Sequence, residues 1–222
     1  MAMTIKEKTE LTKLIIEFAL LKYPNIFATC SFGKDSRVLV DLVMQVNPEV
    51  SFYGIDTTYE FSETLKFSEG LLVETGMNFS WLRPTEVDIE KVNTVFGSEF
   101  IKNGQYKCCA MKKPAITPVI NKHDAWITGL RRDESETRKD IPVIEKSESI
   151  VKIHPLAFWT VDDIWEYINT NNLSYHPLYK EGYPSLGCEP CTKKGVDGTL
   201  GERSGRFSDS NSQRKECGLH FS

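Results

Sequence analysis

Asn25-Ile26-Phe27-Ala28-Thr29-Cys30-Ser31-Phe32-Gly33-Lys34-Asp35-Ser36, running into Arg37-Val38-Leu39-Val40-Asp41-Leu42-Val43-Met44-Gln45-Val46, is the stretch that decides the fold. Residues 25–30 form a short apolar run of strand character, and from about Arg37 to Val46 apolar residues recur at helical spacing. Between them lies a polar turn. A loop that enters a helix presents unpaired backbone N–H groups and the positive end of the helix dipole, so Ser31, Phe32, Gly33, Lys34, Asp35 and Ser36 form a candidate phosphate-binding turn. The turn is not a Walker motif: Ala28 stands where the first glycine is required, and Asp35 follows the lysine in place of Ser or Thr.

Outward from this unit the pattern repeats. A strand is expected over 50–55, a turn at Asp56-Thr57-Thr58 and a helix over 62–74, then strands over 77–82, 125–128 and 150–153 with a helical stretch over 108–120. Strands alternating with helices imply an α/β fold, a parallel twisted sheet flanked by helices. Ligands in such sheets bind beyond the carboxyl ends of the strands, where the 31–36 turn and Asp56-Thr57 converge. The turn resembles the PP-loop of the adenine nucleotide α-hydrolase superfamily, usually written SGGKDS. Upstream, Leu11, Leu14, Ile15, Phe18 and Leu21 lie at helical spacing, which predicts an amphipathic helix covering one side of the core. Residues 129–140, GLRRDESETRKD, are polar enough to predict an exposed loop, with Arg131, Arg132 and Arg138 leaving the same sheet edge as the nucleotide turn. Thr160 and Asp163 have capping-box spacing before a helix with Val161, Ile164, Trp165 and Ile168. Residues 1–192 therefore read as the α/β domain, and the Gly/Ser-rich 193–222 as a mobile C-terminal tail.

With 222 residues, 40% hydrophobic and 26% charged, the chain has an ordinary globular composition. A formal net charge of -4 speaks against non-specific nucleic-acid or membrane-surface binding as its main activity. Glu17 interrupts the N-terminal apolar run, so neither a secretory signal nor a membrane span is expected, and the location expected is cytoplasmic. There the six cysteines serve as metal ligands or nucleophiles more readily than as a disulfide framework.

Four of them fall as an adjacent pair, Cys108 and Cys109, and a spaced pair, Cys188 and Cys191. Adjacent side chains diverge and fit poorly on two corners of one zinc tetrahedron, whereas a 4Fe-4S cluster offers them separate irons. The iron reading is favoured; zinc and four unrelated buried thiols are the alternatives. Cys30, at the end of an apolar strand, reads as a small core residue. Cys217 sits in the polar tail, where Arg214, Lys215 and His220 favour its thiolate, which makes it a candidate nucleophile.

The ending Glu216-Cys217-Gly218-Leu219-His220 resembles the ECGLH signature of the assimilatory adenylyl-sulfate and phosphoadenylyl-sulfate (APS/PAPS) reductases. The likeness extends to Cys108-Cys109 with Lys113 (the family's CCxxRK), to WITGLRRDESETR at 126–138, and to 152–192, including HPLAFWTVDDIW and HPLYKEGYPSLGCEPCT. It implies that Cys217 attacks the sulfur of adenylyl sulfate or phosphoadenylyl sulfate, expels the nucleotide and becomes an S-sulfocysteine. Thioredoxin or a similar dithiol protein then releases sulfite. It also implies a 4Fe-4S cluster on Cys108, Cys109, Cys188 and Cys191, and Lys113, Arg203, Arg206 and His220 around the phosphosulfate. Asp56, Thr57 and the 31–36 turn would hold the nucleotide, and Arg131, Arg132 or Arg138 would close the site. A thiolate meeting a sulfonate costs about 4 kcal/mol at ~4 Å and an effective dielectric constant near 20, which those cations must reverse.

Two departures stand out. Reductases of this family usually lack Lys34 and Asp35, a pair nearer to enzymes that split ATP into AMP and pyrophosphate, and Lys112 replaces the arginine of CCxxRK. An ATP-pyrophosphatase-type sulfur-transfer or nucleic-acid-modifying enzyme is therefore the alternative, and a homo-oligomer is compatible with the sequence without being demanded by it.

Overall fold

The computed structural model describes residues 3–99, 108–195 and 201–207, without the side chains of Cys108 and Cys109. The order is α1 (Ile5–Lys22), β1 (Ile26–Thr29), α2 (Lys34–Val46), β2 (Ser51–Ile55), α3 (Ser62–Thr75), β3 (Phe79–Leu82), α4 (Glu86–Phe96), α5 (Lys112–Ile120), β4 (Ala125–Ile127), β5 (Ile144–Lys146), β6 (Val151–Ile153) and α6 (Val161–Thr170), with short 3-10 turns between. The six strands lie in the order β3-β2-β1-β4-β6-β5. All neighbours are parallel except β5, which runs antiparallel to β6 at the edge. The chain builds outward from β1 through β2 to β3, then returns to β1's other side with β4. A crevice forms at that reversal, beyond the ends of β1 and β4.

Side-chain alternation sorts the two faces. Ala28, Phe52, Ala125 and Ile127 point into the main core with α1, α2 and α6, whereas Phe27 and Trp126 point the other way, against Ile116 of α5. Helix α2 holds this arrangement, because Val38, Leu39, Val40, Leu42 and Val43 are fully buried. Each such side chain contributes about 1.5–3 kcal/mol. Gly54 of β2 permits the β3 aromatics to close over it: an added Cβ would stand 2.7 Å from Phe79 and 2.8 Å from Trp81.

Three sequence expectations change. Helix α2 starts at Lys34 rather than Arg37, so the second half of the expected turn is the helix's first turn, with Asp35 at the favourable end of the dipole. Helix α4 was not foreseen, although Thr85 and Asp88 form a capping box at its start. Of the apolar stripe of α1 only Ile15 packs against the core: Thr12, Ile16 and Ala19 are the helix's buried residues, while Leu11, Leu14, Phe18 and Leu21 are exposed. The capping box of Thr160 and Asp163 is present at α6 as expected.

His176 anchors the turn that walls the crevice. Its Nδ1 accepts the Leu178 N–H at 3.3 Å, and its Nε2 lies 3.0 Å from Thr64 Oγ1, an arrangement that needs the neutral ring. Burial, weakly opposed by Glu63, lowers its pKa from 6.5 to about 4. Between those values the unfolded chain binds the extra proton, so stability rises with pH across this window and is lost as pH falls from 6.5 towards 4. Urea midpoints at pH 7 and pH 5 should therefore differ more in the native chain than in His176→Gln.

Candidate active site

The turn after β1 is shaped by its own hydroxyls and by one strained residue. Ser31 N–H donates to Ser36 Oγ at 3.1 Å, and the two hydroxyls lie 2.9 Å apart. Phe32 takes φ +60°, a region that ordinarily costs a non-glycine residue of order 1–3 kcal/mol. Packing offsets the strain: its ring is buried at 5.3 Å from Phe79 and 5.2 Å from Trp81. The Lys34 N–H donates to Tyr179 Oη at 2.9 Å, which ties the turn to the 3-10 helix Pro177–Glu181. Burial pushes the Tyr179 phenol up to about 12 and the Cys30 thiol likewise to about 12, so both stay protonated, Cys30 as a core residue.

A cavity opens over this turn. Ser31, Phe32, Gly33, Asp35 and Ser36 form its floor, Thr128, Gly129 and Leu130 follow from β4, and Trp81, Tyr179, Leu186 and Gly187 close the sides. Four cations, Lys112, Arg138, Arg203 and Arg206, reach its wall. Lys113 is exposed and does not line it; Lys112, its neighbour about 100° round α5, does. Asp56 and Thr57, expected to hold the nucleotide, do not line the cavity. Asp56 pairs with Arg83 at 2.9 Å and accepts the Thr58 N–H at 2.8 Å, while Thr57 is fully buried with its Oγ1 3.3 Å from Cys188 Sγ.

The arginine loop is exposed at Arg132, Asp133, Glu136, Thr137, Lys139 and Asp140, as its polarity predicts, but two of its arginines turn inward. Arg131 is fully buried, its Nε 2.5 Å from Asp35 and its Nη2 2.6 Å from Glu202. Arg138 is buried too, 2.6 Å from Glu134, whose carboxylate also accepts the Arg131 N–H at 2.9 Å. Of the three arginines Arg132 alone follows the expectation of exposure, and its Nε donates to the Ile141 carbonyl at 2.9 Å, away from the cavity. Lys34 is buried beneath the turn and pairs with Glu202 and, at 3.3 Å, with Asp35. Carboxylate oxygens of Asp35, Glu134 and Glu202 gather within 4.8 Å of one another, and Lys34 and Arg131 supply the neutralising charge from the protein itself.

Burial alone would discharge Lys34, but Asp35, Tyr179 and Glu202 more than offset it and hold the ammonium protonated. Burial likewise opposes ionised Asp35, which Lys34 and Arg131 overcome, lowering its pKa. For Glu202 the balance is reversed: burial and the charge of Asp35 raise its pKa despite Lys34 and Arg131.

Residues 201–207, in the expected tail, pack against the second cysteine pair. Lys193 N–H donates to the Gly205 carbonyl at 2.8 Å, Phe207 N–H donates to the Cys191 carbonyl at 3.0 Å, and Thr192 and Arg206 form a β-bridge. Cys188 and Cys191 are buried thiols outside any disulfide. Cys188 Sγ lies 3.2 Å from Glu60 Oε1, and Arg206 reaches Cys191 Sγ at 3.5 Å and the Leu186 carbonyl at 2.7 Å. Val92 of α4, Met111 and Phe207 complete an apolar nest around the pair. Met111 ends the 3-10 helix Cys108–Met111, so the backbone carrying Cys108 and Cys109 arrives at the same nest, although their side chains lie outside those described. Cys217 and His220 lie outside the described residues.

Sequence reasoning sought cations and so passed over Glu202, which adjoins Arg203 in GERSGRF, and Glu134. It also passed over Tyr179, although HPLYKEGY was one of the matching segments.

The family model of the phosphoadenosine phosphosulfate reductase domain matches residues 25–194. Adenosine 5'-phosphosulfate reductase 2 of Bacillus subtilis is 37% identical over 221 residues, covering 94% of this chain and 91% of that protein. Adenosine 5'-phosphosulfate reductase of Staphylococcus epidermidis is 34% identical over 220 residues, covering 97% and 89%. Among solved structures, the phosphate complex of phosphoadenylyl-sulfate reductase from Candida auris superposes with a TM-score of 0.67 at 24% identity, covering 85% of this chain and 97% of that one. FMN adenylyltransferase of Candida glabrata, with FMN and an ATP analogue, gives 0.63 at 18%, covering 86% and 66%. At those identities the two structures speak for the fold, whereas the domain match and the reductase relatives carry the assignment: the chain belongs to the phosphoadenosine phosphosulfate reductase family.

Proposed function

We propose that this chain reduces adenylyl sulfate to sulfite and AMP in sulfate assimilation. The observation that carries the reading is the cavity at the sheet reversal, where the nucleotide turn, three arginines and a wall shared with the Cys188–Cys191 nest meet through one side chain, Arg206. In the first step the Cys217 thiolate attacks the sulfonate sulfur, the bond from that sulfur to the bridging phosphate oxygen breaks, and AMP leaves with the electron pair. Arg138, Arg203, Arg206 and Lys112 offset the charge of two approaching anions. His220, three residues after Cys217, is placed by the sequence to donate a hydrogen bond to the departing phosphate. In the second step a dithiol protein of the thioredoxin type attacks Cys217 Sγ. Sulfite leaves with the electron pair, and the second thiol of the donor closes its own disulfide, supplying two electrons in all. Phe207 adjoins Arg206, which lines the cavity, and Cys217 follows Phe207 by ten positions, a tether of at most about 33–36 Å when extended, so the thiol is within reach of the cavity.

The donor set fits a 4Fe-4S cluster: two buried thiols in an apolar nest, with the backbone of a second cysteine pair arriving beside them. Cys108, Cys109, Cys188 and Cys191 would hold it, and when bound it supplies a fixed charge and scaffold beside the sulfate. Arg206 then holds its place between nest and cavity. A Cβ on Gly187 would overlap the Arg206 guanidinium, the movable end of a long side chain. Gly187→Ala is accordingly expected to shift the cation with little loss of stability. Forfeiting one charged hydrogen bond of about 1.5–3 kcal/mol lowers kcat/KM roughly 10- to 100-fold, read in sulfite-release kinetics against the melting temperature.

The ATP-pyrophosphatase alternative is disfavoured because the lysine that suggests it is engaged by Asp35 and Glu202 and does not line the cavity. Among the described residues no helix is long and apolar enough to cross a membrane, consistent with the cytoplasmic location we propose. Incubation with adenylyl sulfate, phosphoadenylyl sulfate or ATP, in the presence of thioredoxin, tests the proposal. Sulfite and AMP from adenylyl sulfate are expected. Pyrophosphate from ATP without sulfite from either sulfonucleotide would overturn it.

A further inference from the structure

Three polar side chains form a line across the sheet edge that the two reaction steps do not use. Ile127 of β4 and Ile153 of β6 are register partners with side chains in the main core, so Thr128 and His154, one residue on, share the opposite face. Thr128 Oγ1 lies 2.7 Å from His154 Nδ1, and His154 Nε2 lies 3.2 Å from Glu145 Oε2 of β5. The other carboxylate oxygen, Oε1, accepts from Lys152 Nζ at 3.0 Å. The line runs from half-buried Glu145, through a fully buried imidazole, to a hydroxyl on the cavity lining.

The polarity of that hydroxyl follows from its partners. Burial opposes the ionised form of Glu145, but Lys152 and His154 overcome it and lower its pKa. An ionised carboxylate only accepts, so Nε2 carries the imidazole proton. Burial, against the opposing pull of Glu145, lowers the pKa of His154 and keeps the ring neutral. The charged groups facing it are Glu145 on β5, Lys152 on β6 and Arg138 at the end of the 3-10 helix Glu136–Arg138. Nδ1 is therefore bare, and Thr128 gives it its only hydrogen. The Thr128 oxygen also takes the Leu130 N–H at 3.5 Å, which leaves one lone pair for the cavity. Thr128 thus meets the cavity as an acceptor, the wrong partner for a phosphate or sulfonate oxygen and the right one for a hydroxyl.

Strand order places that acceptor beside the sugar of a nucleotide. Tyr53, Ile55 and Trp81 line the cavity from β2 and β3, on one side of β1, and offer the apolar surface that a purine takes. The phosphate turn follows β1 itself, and Thr128 stands on the other side, after β4. A nucleotide with its base against β2 and β3 and its phosphate on the turn presents its ribose, which joins the two, to β4.

We propose that Thr128 accepts a hydrogen bond from a ribose hydroxyl of the bound nucleotide, and that His154 and Glu145 are positioning residues that keep it an acceptor. The inference rests on the nucleotide reading of the cavity.

Two measurements test it, one of them without ligand. Imidazole nitrogen NMR shifts at pH 7 should show His154 neutral and protonated at Nε2. In Glu145→Gln, Lys152 holds the amide oxygen and the NH2 group faces Nε2, so the imidazole proton should move to Nδ1 and the Thr128 hydrogen turn to the cavity. Titration calorimetry of the anaerobically prepared chain then uses AMP, 2'-deoxy-AMP and 3'-deoxy-AMP as probes. The native chain should bind AMP roughly tenfold more tightly than one of the two deoxy nucleotides. Thr128→Ser should keep that preference, whereas Thr128→Val and Glu145→Gln should lose it, with circular dichroism melts confirming that each variant is folded. Glu145→Gln, at a half-buried position, decides the question even if Thr128→Val does not fold. Equal binding of all three probes by the native chain, a preference that survives in a folded Thr128→Val or in Glu145→Gln, or a native His154 protonated at Nδ1 would overturn the inference and leave the nucleotide reading standing. A chain that binds none of the three would overturn both.

Discussion

Cys217→Ser is expected to release no sulfite from adenylyl sulfate, a loss of at least about a thousandfold of the kind that follows removal of an essential nucleophile. The reason lies in both half-reactions. A serine hydroxyl is protonated at neutral pH, whereas the proposed nucleophile is a thiolate, favoured by the sequence neighbours Arg214, Lys215 and His220. Even if the hydroxyl attacked, the product would be a sulfate ester, in which no sulfur–sulfur bond exists for a dithiol to open. Sulfite release and AMP release should therefore fail together in the variant, measured with thioredoxin in excess. Continued sulfite formation would move the nucleophile elsewhere.

Arg131→Met carries the second large effect, on stability. The arginine is fully buried between Asp35 and Glu202, with Asp133 at 3.4 Å, and its removal leaves two buried carboxylates with Lys34 alone between them. Breaking a buried pair from one side costs about 3–5 kcal/mol. For a chain of this size that lowers the melting temperature by roughly 10 °C. Adding Glu202→Gln to Arg131→Met should recover part of the loss, because one uncompensated charge is gone. The same network fastens residues 201–207 to the nucleotide turn, so trypsin should cut after Arg203 and Arg206 sooner in Arg131→Met than in the native chain. Unchanged melting and cleavage would mean that the buried network contributes little.

Several features were legible because they are local. The apolar strand and the helix after the 31–36 turn show in residue spacing, and Thr160 with Asp163 announces α6. Arg131 was misjudged for the opposite reason. Its charge makes sense in the interior only through Glu202, 71 residues away, and no window of sequence shows that pairing. Helix α1 shows a different limit. Periodicity gives the angle of an apolar stripe but not which side the core covers, and this helix has two. Lys112 and Lys113 are alike in charge, and only the phase of α5 decides which of them reaches the cavity. Helix α4 was readable from its Thr85 and Asp88 cap, yet its apolar face has meaning only beside Cys188 and Cys191, which arrive from far along the chain.

The measurement that bears most directly on the chemistry is the intact mass of the anaerobically prepared chain after exposure to adenylyl sulfate with no dithiol present, followed by peptide mapping. A gain of one SO3 group, confined to the peptide carrying Cys217 and released as sulfite when thioredoxin is added, is the expected result. No adduct, or an adduct on a cysteine other than Cys217, would contradict it.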